Sequence, residues 1–311
     1  MPLPGSFTKV SGDAFGAADY NDIQGRINST LGTGTGDQGY GQNGGSYGTF
    51  QSGSSQSASN IILASDIAKF KTDLDNLSLH QQGSSTFYRT LPTISATNPF
   101  IASDLNSYYN TSVDCFNNRL VAHSSALSFT AGVAPSFTNW NGTRTHEVSV
   151  AFGSANAARW FFNSGGYIAI QPSIAYASFD ATKDGKWKTM FETDTGIVQF
   201  RARSTARTGS GGTLSSTLGY HQNITYGSAT WATLFFVAST TPYAANDYTV
   251  NVKINAAGDT VSFQMIFDDG AVGNPVVDEN VGNTTSSVSS YRSNAYSIVV
   301  PAPTITTTSG P

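Results

Sequence analysis

The chain has a single cysteine, Cys115, which excludes an intrachain disulfide and any zinc site built on cysteine thiolates. Charge is equally scarce. Asp, Glu, Lys and Arg make up 12% of the 311 residues, about half the ~25% usual in soluble domains. The net charge of −4 supplies no basic footprint for nucleic acid. No apolar run approaches the ~20 residues of a membrane-spanning helix. Met1-Pro2-Leu3-Pro4 lacks the basic and apolar regions of a secretory signal, so synthesis in a reducing cytoplasm is expected. The four histidines, His80, His123, His146 and His221, share no metal-binding spacing. His146-Glu147 begins like a zinc-protease motif, but Val150 stands where the second histidine belongs. No cofactor is implied.

Gly, Ser, Thr and Asn fill the place of the missing charge, a balance that suits a rigid scaffold largely covered by neighbours. Three segments of the first half repeat one pattern. Each opens with a small residue and Asp: Ala18-Asp19, Ser65-Asp66 and Ser103-Asp104. Side chains at offsets of one, four, eight and eleven from the Asp then trace one face of a helix. These are Tyr20, Ile23, Ile27 and Thr30, then Ile67, Phe70, Leu74 and Leu77, then Leu105, Tyr108, Ser112 and Cys115. Thr30 and Ser112 break the apolar set. An Asp in the first turn suits the positive helix end, and Gly83 supplies a stop for the second copy.

Between the first two helices, Gly32–Gly53 carries Tyr40, Tyr47 and Phe50, whose apolar surface is costly to leave in water. A docked loop is expected rather than a spacer. Gly32-Thr33-Gly34-Thr35-Gly36 follows a helix instead of opening one, so it does not read as a phosphate cradle.

After a boundary at Ala131–Gly142, eight runs read as strands: Val148–Phe152, Arg159–Asn163, Tyr167–Ile174, Ile197–Arg203, Trp231–Ala238, Tyr248–Ile254, Val261–Phe267 and Ser297–Val300. Arg159–Asn163 and Tyr167–Ile170 are expected to form a hairpin turning at Asn163-Ser164-Gly165-Gly166. Trp160 and Phe162 would lie on one face and Phe161 on the other. Such a hairpin would bring aromatic surface to an assembly interface, which makes Trp160, Phe161 and Phe162 interface candidates; Tyr40, Tyr47 and Phe50 join them because the Gly32–Gly53 loop is expected to be ordered in the assembly through these three. The expected fold is α+β. A helical region with the Gly-rich loop spans residues 1–130, an antiparallel, jelly-roll-like β-sandwich spans 145–300, and an extended Pro/Thr-rich tail spans 301–311.

Three further groups carry possible chemistry. Asp268 and Asp269, with Asp278 and Glu279 across a loop, offer oxygen ligands of the kind Ca²⁺ takes; a solvated hairpin end is the alternative. Lys183–Trp187 with Arg201, Arg203 and Arg207 forms the one basic zone. Trp187 and Trp231 are the candidates for an aromatic sugar-binding platform. Cys115 occupies a helix-core offset and reads as a buried thiol.

The order of several short motifs resembles virion structural proteins of tailed bacteriophages, especially tail and baseplate proteins of cyanophage-like myoviruses. The resemblance rests on the helix from Asp19, on Gly34–Gln42 ending Gly-Tyr-Gly-Gln, and on His80-Gln81-Gln82-Gly83. Phe161-Phe162-Asn163-Ser164-Gly165-Gly166 and Phe267-Asp268-Asp269 complete it. It implies a non-enzymatic virion component of tail or baseplate, made in the host cytoplasm, with other virion proteins and copies of itself as partners. The alternatives are a host-recognition module binding a surface glycan and a tailspike-like polysaccharide depolymerase. The latter would normally show repeated β-helix rungs, and the sequence has none.

Overall fold

The computed structural model describes residues 9–10, 13, 15–41, 55–57, 59–95, 97, 101–271 and 280–309. It is an α+β fold in two compact units. One comprises Met1–Ser128, Arg159–Gly166 and Arg292–Pro301; the other comprises Phe129–Ala158, Tyr167–Tyr291 and Ala302–Pro311.

The first unit is built on the three repeated segments, α1 (Ala17–Leu31), α2 (Ala64–Gln82) and α3 (Ala102–Asn117). The repeated Asp is the third helical residue each time. Its carboxylate accepts the N–H of the residue before the helix: Gly16 to Asp19 (3.0 Å), Leu63 to Asp66 (3.1 Å) and Ile101 to Asp104 (3.4 Å). This satisfies a backbone donor that the helix leaves orphaned. All twelve positions of the repeated face are buried, including Thr30 and Ser112. Those two hydroxyls donate to the carbonyls of Arg26 (3.0 Å) and Tyr109 (2.6 Å), which makes them tolerable inside.

The helices run in one direction. Tyr20 meets Phe70 near the starts of α1 and α2, with ring centroids 4.5 Å apart. At the far ends, the Gln81 amide donates to the Cys115 carbonyl at 2.9 Å. Parallel neighbours need long returns. A 19-residue helix is ~28 Å long, which an extended chain crosses in about nine residues, and residues 32–63 and 83–101 are ample. Gly83 ends α2 at φ +77°, as its position suggests.

The second unit is a sandwich of two antiparallel sheets. Its elements include β1 (Leu127–Val133), β2 (Ser136–Phe137), β3 (Gly142–Ala151), β4 (Tyr167–Ile174), β5 (Val198–Phe200), β6 (Thr205–Arg207) and β7 (Thr213–Leu214). The later strands are β8 (Ala232–Ala238), β9 (Asn246–Ile254), β10 (Thr260–Asp269), β11 (Thr284–Ala295) and β13 (Thr304–Ser309); the end of β11, from Arg292, belongs to the first unit, as does β12 (Ile298–Val299), which pairs with it. One sheet has the order β1-β11-β4-β5-β6, with β2 and β12 also on β11; the other runs β13-β3-β10-β9-β8-β7. In the β9–β10 hairpin, Val250, Val252 and Ile254 lie opposite Met265, Phe263 and Val261, all buried. Phe200 of one sheet meets Phe263 of the other edge-on, with centroids 5.6 Å apart. Within the Pro/Thr-rich tail, Thr304–Ser309 is a paired strand, lying antiparallel on β3.

The expected hairpin over Ala157–Ile170 is wrong in its first arm. Ala155–Asn163 is a helix, α4, and only Tyr167–Ile174 is a strand. Ser154 opens the helix, its hydroxyl accepting the Ala157 N–H at 3.1 Å and its carbonyl accepting the Ala158 N–H at 3.1 Å. Asn163-Ser164-Gly165-Gly166 closes it. Gly166 N–H reaches the Phe161 carbonyl (3.0 Å) and Gly165 N–H the Phe162 carbonyl (3.1 Å), the paired bonds of a Schellman stop. Gly165 takes φ +78°, and a β-carbon there would lie 2.6 Å from that of Ala122. Gly165→Val is therefore expected to cost about 3 kcal/mol, part left-handed strain and part overlap. Urea unfolding of the variant checks this; an unchanged midpoint would contradict it.

Candidate functional site

Three of the segments singled out in the sequence meet in the first unit. Thr30 ends the first helix face, and the chain turns so that Tyr40 N–H reaches the Thr30 carbonyl (2.7 Å) and Gly41 N–H the Gly32 carbonyl (2.8 Å). That return docks residues 32–41 as a tight lobe. The Asn163 amide, fully buried at the end of α4, donates into it, to the carbonyls of Gly36 (3.3 Å), Gln38 (2.6 Å) and Gly39 (2.9 Å). With two hydrogens, one of them shared, a single side chain thus serves three carbonyls of an irregular loop, which has no ladder of its own to do so. Gly41, at φ +74°, lies flat against the Trp160 indole, and a β-carbon there would fall 2.2 Å from the ring. Arg119 anchors the outer side of the lobe, donating to the Asp37 carbonyl (3.0 Å) and pairing with its carboxylate at 3.5 Å.

His80, in the last turn of α2, completes the junction. Its Nε2 is 3.0 Å from the Ser164 carbonyl, so Nε2 carries the proton and donates. The Tyr40 ring lies 5.3 Å from the imidazole, and the Tyr40 hydroxyl accepts from Gln81 at 3.2 Å. Burial pushes His80 down to about 4, the Ser164 bond opposing it weakly. Burial pushes the Tyr40 hydroxyl and the Cys115 thiol well above their usual ranges. All three are neutral at pH 7. For Tyr40 and Cys115 this is the form least able to act as a nucleophile, and for His80 the lowered value makes the neutral ring a weak base.

Of the expected interface residues, Tyr40, Phe161 and Phe162 are buried inside the chain, and Trp160 is half-buried. Phe161 and Phe162 pack edge-on at 5.0 Å, on a helix rather than on opposite faces of a strand. No strand hairpin presents an aromatic face at this point. Tyr47 and Phe50 lie outside the described residues.

In the second unit Asp268 and Asp269 point to opposite faces of β10, the ordinary consequence of period two. Asp268 accepts from the Thr143 hydroxyl (2.7 Å), while Asp269 is fully buried and accepts from Lys183 Nζ (2.9 Å). They therefore do not converge on one ion. Asp278 and Glu279 lie outside the described residues, and no cluster of three metal-ligating side chains occurs among those described.

The basic zone is dispersed. Lys183–Lys188 forms the short helix α5, with Lys183 and Trp187 both buried. Arg201 lies over Tyr167 and Arg207 over Phe235, at 5.3 and 5.2 Å from the ring centroids. Trp187 packs against Trp140, Phe191 and Phe267, so it is core and not a platform. Trp231 is half-buried under Lys253 Nζ, 4.2 Å from its centroid.

His146 is buried beneath Phe137, with centroids 3.9 Å apart, and its Nδ1 lies 3.0 Å from the Ser286 hydroxyl. Burial brings it to about 4 as well. Neither the polar junction of the first unit nor this buried histidine was legible as a contact beforehand. The missed signal for α4 was local: Ser154, an Ala-rich first turn and a terminal Gly-Gly. No helix among the described residues is long and apolar enough to cross a membrane. No protein-family model, curated protein or solved structure matches the chain.

Proposed function

We propose that this chain is a non-enzymatic structural component of a tailed-phage virion. It sits in the tail or baseplate and joins other virion proteins and copies of itself. The observation that carries the reading is the junction of the first unit. Gly36–Gly41, His80-Gln81 and Phe161–Gly165, parts of the segments that resemble virion proteins, spend their polar groups on internal hydrogen bonds and their rings on packing. They are scaffold rather than reaction chemistry. The low charge of 12% adds to this, since it suits surfaces that lie against neighbours. A sugar-binding reading is weakened because Trp187, one of its two aromatic candidates, is fully buried.

The experiment is to quantify the chain in particles purified from a phage that encodes it, and to locate it by imaging with a tagged copy. A fixed stoichiometry in the tail fraction, with self-contacts in the particle, is the expected result. Absence from purified particles would overturn the proposal. A glycan array on the isolated chain separates the host-recognition alternative, for which specific sugar binding is required.

A further inference from the structure

We propose that Lys183 and Asp269 condense spontaneously, joining α5 to the end of β10 through an intramolecular amide bond between lysine Nζ and aspartate Cγ. The two residues are 86 positions apart in sequence, yet Nζ and Oδ2 lie 2.9 Å apart and both side chains are 0% exposed. Proximity of this kind replaces an encounter between two molecules by an internal step, worth effective molarities of about 10⁵–10⁸ M when the geometry holds. The surroundings are dry. Trp187, one turn along α5 from Lys183, and Phe267, on the Asp269 face of β10, are both fully buried. A buried ion pair carries a large desolvation penalty, which a neutral amide relieves, and exclusion of water suppresses hydrolysis of the product.

A donor for the reacting carboxyl is at hand. Asn246 faces Asp269 directly across the β9–β10 ladder, where opposed β-carbons lie about 4.5–5.5 Å apart. Asn246 is 0% exposed, and its Oδ1 is committed to the Ala271 N–H at 3.0 Å. Its Nδ2 has no hydrogen-bond partner among the described residues. That leaves an uncommitted N–H donor on the residue that faces Asp269 across the ladder, in reach of the carboxyl after a side-chain rotation.

The step balances without a co-reactant. A proton passes from Nζ to Oδ2 along the existing hydrogen bond, leaving an amine beside a carboxylic acid. The nitrogen lone pair attacks Cγ and the C–N bond forms. The C–OH bond then breaks, and the hydroxyl departs with a proton shed by the nitrogen. The products are one amide and one water molecule.

The test is the mass of the full purified chain under denaturing conditions, followed by tryptic digestion with fragment sequencing. The expected mass is lower than the sequence mass by one water. The digest should contain a branched peptide linking the segment around Lys183 to that around Asp269, and Lys183→Met should have its full mass. A wild-type chain at full mass, with linear peptides only, overturns the proposal without reference to any variant. So does a water loss found on a linear peptide and retained in Lys183→Met, because Asp269-Gly270 can also lose water by closing a succinimide.

Discussion

Replacing Asn163 with aspartate is expected to destabilise the first unit more than replacing it with alanine. Alanine removes the amide that serves the carbonyls of Gly36, Gln38 and Gly39. Of the three, only the Gly39 bond is fully buried; a buried acceptor left without a donor costs about 1–3 kcal/mol, and water can serve the other two, so a loss of about 2 kcal/mol is expected. Aspartate keeps the shape but turns a carboxylate toward the same three carbonyl oxygens, adding repulsion to the lost bonds. At pH 7 its loss should exceed that of alanine by about 1 kcal/mol or more. Acidification should narrow the gap, because a protonated carboxyl regains one donor. Urea unfolding of the three proteins at pH 7 and pH 5 measures this. An aspartate variant as stable as wild type would mean that the lobe is not held by Asn163.

The second large effect concerns acid. His80 and His146 are buried in the first and second units, each brought to about 4 from 6.5. Desolvation is the leading cause for both. His80 faces the Tyr40 ring and the Ser164 carbonyl; His146 faces the Phe137 and Phe267 rings and the Ser286 hydroxyl. None of these neighbours is charged at neutral pH, so a proton on either ring meets no counter-charge; at His80 the Ser164 carbonyl offsets the desolvation only in part. Between pH 6.5 and 4 the unfolded chain binds a proton at each histidine that the folded chain does not. Stability is therefore fully present above about 6.5 and lost as pH falls toward 4. The loss is about 3 kcal/mol per histidine. Unfolding measured across that range in wild type, His80→Gln and His146→Gln should show the pH slope reduced in each variant. A wild-type stability that stays flat from pH 7 to 4.5 would rule out buried neutral histidines at both places.

The first-unit helices were legible because their information is local. An Asp at the third position caps each one, and four offsets per helix mark the buried face. The β9–β10 hairpin was legible for the same reason, its alternation surviving intact into the register Val261↔Ile254 to Phe267↔Tyr248. Alternation over five residues does not distinguish a strand from a short helix when every side chain is large or buried, and Arg159–Asn163 shows it. The capping Ser154 and the Schellman glycine decided that segment, and both lay outside the window in which the aromatics alternate.

By itself the sequence determined the fold class, three amphipathic helices and most central strands, because backbone propensity and one buried face suffice for those. Tertiary structure alone decided where polar groups are permitted inside. The Ser-rich strand β11 carries little strand propensity. Its inward residues nevertheless find the Trp140 indole N–H at Thr284 (3.1 Å) and the His146 ring at Ser286 (3.0 Å). Asn163 finds three carbonyls 124 to 127 residues away, and Lys183 finds Asp269 across 86. Burial of a polar side chain depends on a partner that only the folded chain supplies, and no reading of neighbouring residues contains that partner.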